Sequence, residues 1–153
     1  MDVLSPQQRH FNMSRIRSKD TKPELVLRRA LHARGLRFRL HKEGLPGRPD
    51  LVFRKFRAVL FVNGCFWHGH ANCKRFSPPV SSALYWAAKI ERNQLRDGAA
   101  RLELGELGWR ILTVWECALI GTQRQPLESV IDACVDFLSG NADGCELRGV
   151  PPP

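Results

Sequence analysis

The chain has 153 residues, with 24 Lys+Arg against 15 Asp+Glu, a formal net charge of +9, 43% apolar and 25% charged residues. This is ordinary globular usage, and the length suits one domain with a real core. No run approaches the roughly 18 apolar residues of a membrane span, and Met1–Arg9 lacks the apolar h-region of a secretory signal, so a cytoplasmic protein is expected. Five Cys in such a chain point to metal binding or free thiols rather than to a disulfide scaffold.

The charge is lopsided. Residues 1–57 carry 15 Lys/Arg and 5 Asp/Glu, whereas residues 58–153 carry 9 and 10. A basic field of this kind attracts polyanions, and phosphate backbones dominate protein–nucleic acid affinity. The basic residues do not flank one apolar helical face, so a membrane surface is not the expected partner.

Residues 1–20 read as a basic N-terminal arm, residues 21–138 as one folded domain and residues 139–153 as a flexible tail. Thr21-Lys22-Pro23-Glu24 fits a capping box opening a helix that stops at Gly35. Leu36–Leu40 alternates as a half-buried strand, and residues 41–49 are a Gly/Pro-punctuated loop. Asp50–Phe53 and Ala58–Val62 form a hairpin around a basic turn. Asn63–Pro79 is irregular, Ser82–Leu107 a long helix, Trp109–Trp115 an apolar strand and Pro126–Leu138 a last helix. This α-β-β-β-α-β-α order predicts a single α/β domain, a mixed sheet flanked by helices.

The densest chemistry lies at Cys65-Phe66-Trp67-His68-Gly69-His70-Ala71-Asn72-Cys73, with Cys117 ending the Trp109–Trp115 strand. Three Cys and one His satisfy tetrahedral zinc with no open position, which is a structural site. Spacing alone leaves open which of His68 and His70 is the ligand. The other imidazole would suit proton transfer near neutral pH. Cys134 and Cys145 read as a core thiol and a tail thiol.

Three acids stand out. Asp50 leads into an apolar strand, where a carboxylate must be paired, capped or on a metal. Along the long helix, Trp86, Ile90, Asn93, Asp97 and Leu104 follow one stripe, so Asn93 and Asp97 interrupt a core-facing surface. Glu24 is accounted for by the capping box, yet could also turn toward a site. Carboxylate oxygens with room for water are the donors Mg²⁺ prefers. A non-catalytic zinc module binding DNA or RNA would account for the charge and the cysteines but not for Asp50, Asn93 and Asp97.

Leu45-Pro46-Gly47-Arg48-Pro49-Asp50, Asn63-Gly64-Cys65-Phe66-Trp67-His68, Trp109-Arg110 and Val114-Trp115-Glu116-Cys117-Ala118-Leu119 occur in that order. Asn12-Met13-Ser14-Arg15-Ile16 and Asp20-Thr21 precede them. Together these motifs resemble the very-short-patch-repair (Vsr) DNA mismatch endonucleases over residues 10–138. The resemblance implies a restriction-endonuclease-like (PD-(D/E)xK-related) fold with a structural Zn²⁺, and Mg²⁺-dependent nicking 5′ to the T of T:G mispairs left by 5-methylcytosine deamination. It implies a monomer acting on double-stranded DNA, with mismatch-repair proteins as possible further partners. By resemblance, Asp50 and the backbone carbonyl of Val62 hold Mg²⁺, His68 is the catalytic histidine, and Glu24 and Asp97 support it. Cys65, His70, Cys73 and Cys117 are then the zinc ligands, and Met13, Phe66 and Trp67 the wedge that enters the base stack. Two departures stand out. Asn63 occupies a position where the best-known members carry histidine, and Gly69 with Ala71-Asn72 sets His70 and Cys73 one residue further apart.

Overall fold

The structure, a computed structural model, describes residues 20–77 and 80–150. The arm through Lys19, including Met13, lies outside the described residues. Short apolar runs, buried on both faces, build the centre of the sheet. Leu51–Phe53 (β2) and Ala58–Asn63 (β3) pair antiparallel with Leu51 opposite Leu60, joined by a 3₁₀ turn at Arg54–Phe56 and by Arg57 in the left-handed region at φ 53°. Arg39–Leu40 (β1) pairs antiparallel with β2. From β3 the chain crosses through a 24-residue helix, Ala83–Glu106 (α2), to Arg110–Trp115 (β4), which runs parallel to β3. The first helix, α1, is Lys22–Ala33, and the last, α3, is Leu127–Ser139.

Strand parity assigns side chains to two faces. Leu51, Phe53, Leu60, Leu112 and Val114 pack with Leu27 and Leu31 of α1 and with Val130, Ile131 and Phe137 of α3. Val52, Val59 and Ile111 turn the other way, onto Leu104 of α2. Among the described residues, one mixed sheet of five strands, ordered β1-β2-β3-β4-β5 with β5 at Gly144–Leu147, is thus covered by helices on both faces.

Three differences from the sequence reading have physical causes. Residues 144–147, read as tail, form β5 parallel to β4, with Gly144 opposite Ile111. This strand carries Cys145, and its short, glycine-started sequence gives little periodic signal. The first strand shrinks to two exposed residues, because Leu36 and Phe38 pack on the core without joining the ladder. The capping box is not made: Thr21 makes no side-chain cap, and Glu24 Oε1 accepts the N–H of Asp20, the residue before the cap, at 3.2 Å. Burial of Glu24 to 1% exposure turns it to other partners.

Candidate active site and metal centre

The irregular segment after β3 folds back on itself through the backbone bonds His68 N–H to Gly64 O and His70 N–H to Cys65 O. This brings Cys65, His70 and Cys73 beside Cys117 in the 3₁₀ turn after β4. All four are buried, and their ligand atoms lie within 4.8 Å of one another. The His70 ring stacks on Trp115 at 3.8 Å and 5°, and the Gly149 N–H donates to Cys117 Sγ at 3.2 Å. Hydrogen bonding from Cys65 pulls the Cys117 thiol down to about 5, and the same contact pushes Cys65 up. Burial lowers His70 toward its neutral, ligating form. A thiolate-favouring pocket of soft donors with an N–H on sulfur fits Zn²⁺, which these four residues could hold. The geometry selects His70 over His68 for this cluster.

The loop around His70 turns tightly at two residues. Asn72 adopts φ 54° and Gly69 φ 59°. A Cβ on Gly69 would stand 2.5 Å from Gln94 Nε2 and 2.8 Å from Ile90 Cγ2, so the loop can lie this close to α2 only with glycine there. Helix α2 then grips the loop: Asn93 Nδ2 donates to Trp67 O at 2.9 Å, and Gln94 Nε2 to His68 O at 3.3 Å. Asp97 Oδ2 meets His68 Nδ1 at 2.5 Å. The polar break in the stripe of α2 is therefore used: Trp86, Ile90 and Leu104 are buried, while Asn93 and Asp97 hold the loop.

Beside this loop lies a cleft of about 580 Å³, lined by Asp50, Val62, Asn63, His68, Asn93 and Asp97, with His41, Arg48, Arg96 and Arg101 among the other lining residues. Asp50 enters it from the start of β2, and its Oδ2 accepts the Val62 N–H at 2.7 Å. The proximity of the loop before Asp50 to α2 depends on Gly47, at φ 75°, where a Cβ would meet Ala100 Cβ at 2.9 Å. Burial pushes the Asp50 carboxyl up to about 7, against the lowering effect of the Val62 bond, and nearby Glu24 adds to the rise. A buried carboxylate raised mainly by desolvation, at the wall of an open cleft, fits a hard divalent cation that would favour its charged form.

Glu24 does not line the cleft. It is joined to it by His41, whose Nε2 lies 2.9 Å from Glu24 Oε2 and 4.0 Å from Asp50 Oδ1, while Arg28 binds Glu24 Oε2 at 2.7 Å. Phe66 and Trp67 sit edge-on to one another with centroids 5.2 Å apart, and both pack on Trp86. His41 and Glu116, which accepts the Cys65 N–H at 3.0 Å, were not singled out in the sequence, because both act through contacts distant along the chain.

A mixed sheet flanked by helices, an acid- and imidazole-lined cleft and a Cys₃His cluster define a nuclease-like α/β domain. Comparison with known proteins narrows this. The family profile for DNA mismatch endonuclease Vsr matches residues 1–75. The chain is 38% identical over 146 residues to DNA mismatch endonuclease Vsr of Escherichia coli, covering 95% of this chain and 93% of the relative. It is 47% identical over 133 residues to the type II nicking enzyme V.XorIIP of Xanthomonas oryzae, covering 86% and 97%. A similar enzyme, V.NmeAIP of Neisseria meningitidis, is 39% identical over 118 residues, covering 77% and 84%. The chain belongs to the Vsr family and is a DNA endonuclease.

Proposed function

We propose that this endonuclease nicks duplex DNA 5′ to the T of a T:G mispair, with Mg²⁺ held by Asp50 and the backbone carbonyl of Val62. The observation that carries this reading is that Asp50 and His68, from different elements, line one cleft. When bound, the cation supplies neutralisation of charge developing on the scissile phosphate and the leaving 3′ oxygen. His68 is the general base: with Nδ1 engaged by Asp97, Nε2 is left to take the proton of the attacking water. Asp97 orients the ring and stabilises its protonated form, and Glu24 backs Asp50 through His41. An amide at Asn63 cannot exchange a proton, so the burden falls on His68 alone at this wall, while Asn93 fixes the carbonyl of Trp67. Arg48, Arg96 and Arg101 offer phosphate contacts along the cleft.

Recognition rests on a mispaired step being cheaper to open than a paired one. Phe66 and Trp67, half-buried on a loop stapled by the zinc ligands, are the proposed wedge, together with Met13 of the arm. The protein works as a monomer on its DNA. The test is a panel of duplexes differing only in one base pair, T:G, T:A, C:G and C:A, with Mg²⁺ or EDTA. Nicking at T:G alone, 5′ to T and only with the metal, is expected; equal cutting of the paired duplexes overturns the mispair assignment.

A further inference from the structure

Residues 148–150, just past β5, thread between the two pieces of chain that carry the Cys₃His ligands, and the mechanism above makes no use of them. The Arg148 guanidinium donates through Nη2 to Ala71 O at 3.0 Å and to Asn72 O at 2.8 Å, the two carbonyls between His70 and Cys73. The Gly149 N–H donates to Cys117 Sγ at 3.2 Å. The Val150 N–H donates to Gln123 O at 2.7 Å, and Gln123 Nε2 returns a bond to Val150 O at 2.9 Å. Gln123 is buried, and its Oε1 accepts the N–H of Lys74, next to Cys73, at 3.2 Å. A Cβ at position 149 would stand 2.5 Å from Cys117 O and 2.6 Å from Gln123 O, so glycine is what lets this N–H reach the sulfur. Apolar packing offers little here. Among the described residues the loop between β3 and α2 has no helix or strand of its own, and the buried cluster around the ligands consists of Cys65, Cys73 and Cys117 with Trp115.

We propose that Arg148, Gly149 and Gln123 are the outer shell of the metal centre, so that the segment after β5 sets how tightly the cluster holds zinc. This rests on the Cys₃His cluster being a zinc site, as read above. The Gly149 N–H offsets charge on a ligating thiolate. The Arg148 fork and the Gln123 amide hold the His70–Cys73 piece against Cys117, so the ligands are gathered before the ion arrives. A general loss of stability can also weaken a metal whose binding is coupled to folding. The control is therefore Ile131→Val, which trims the main core, a cluster separate from that of the ligands.

The full chain is loaded with zinc, and its affinity is measured by competition with a chelator of known strength. Loss of an outer partner costs about 10–100-fold in metal affinity, so Arg148→Ala and Gly149→Ala should each weaken zinc at least about tenfold, and Ile131→Val should not. With Co²⁺ in place of zinc, the thiolate charge-transfer band should shift in Gly149→Ala, which moves the N–H off the sulfur; an unmoved band overturns the role of that N–H. Wild-type zinc affinity in either variant, or a loss in Ile131→Val as large as that in Arg148→Ala, overturns the outer shell and leaves the Cys₃His reading intact. A wild-type chain that takes up no zinc overturns both. Should Gly149→Ala fail to fold, Arg148→Ala decides, because it leaves the backbone of the segment unchanged: wild-type affinity there refutes the proposal.

Discussion

His68 Nδ1 and Asp97 Oδ2 lie 2.5 Å apart, joining the loop after β3 to the middle of α2. The contact engages one nitrogen of an imidazole that lines the cleft. General acid–base catalysis contributes about 10²–10⁴-fold. His68→Ala should therefore lose at least about 10²-fold in single-turnover nicking of a T:G duplex, and Asp97→Asn a substantial part of that. Both should keep wild-type DNA affinity in gel shifts. Near-wild-type nicking by His68→Ala removes it from the chemistry.

Asp50→Asn separates chemistry from architecture. The amide oxygen still accepts the Val62 N–H, so thermal stability without metal should stay close to wild type or rise. Nicking should fall below detection and should not return with Mg²⁺ concentration. Retained cleavage would show that the cation is held elsewhere.

Removal of the clustered metal should act through structure. Cys117→Ser, or chelation of the wild type, should abolish zinc content by elemental analysis and open residues 64–77 to protease. Structural zinc contributes folding free energy directly. A chain that holds no zinc yet keeps its melting temperature and its resistance to protease would refute the structural role.

Phe66→Ala with Trp67→Ala should erode discrimination more than rate. The expected change is at least about tenfold in the T:G over T:A ratio, since opening a base step involves a few kcal/mol. Because both rings also pack on Trp86, Trp86→Phe serves as the packing control and should keep the ratio.

Cys134 gives a pH signature unrelated to metals. It is fully buried, and burial pushes its thiol up to about 12. The native state resists ionising it, while the unfolded chain ionises freely near an ordinary thiol value. Its contribution is therefore complete below about pH 9 and is lost as pH rises toward 12, by about 1.4 kcal/mol per unit. Urea melts of wild type and Cys134→Val between pH 8 and 11 should diverge by that slope. Parallel curves would mean the thiol is solvated.

Much of this was legible in the residues because it is local. The β2–β3 hairpin, the long helix and the apolar β4 follow from periodicity and turn residues. Asn93 and Asp97 were visible as polar breaks in an apolar stripe. The cluster of Cys65, His70, Cys73 and Cys117 was legible by composition, though the choice between His68 and His70 needed geometry. What escaped depends on contacts between distant segments. His41 reads as the start of a loop until α1 brings Glu24 against it. β5 reads as tail until β4 supplies its partner, and Gly149 and Arg148 then reach back to Cys117 and to the carbonyls of residues 71 and 72. The capping box misled because one side chain, Glu24, had two uses.

Trp86 and Asp97 sit on the same side of one uninterrupted helix, about three turns apart at 3.6 residues per turn. The first supports the aromatic pair; the second steers the imidazole. A push delivered to the rings by an intact, stiff duplex would travel along a rigid rod to the base that activates water, with no slack joint to absorb it. On the proposed reading, sensing and cutting would be mechanically in series, and tolerance for a wrong substrate would require bending α2 itself.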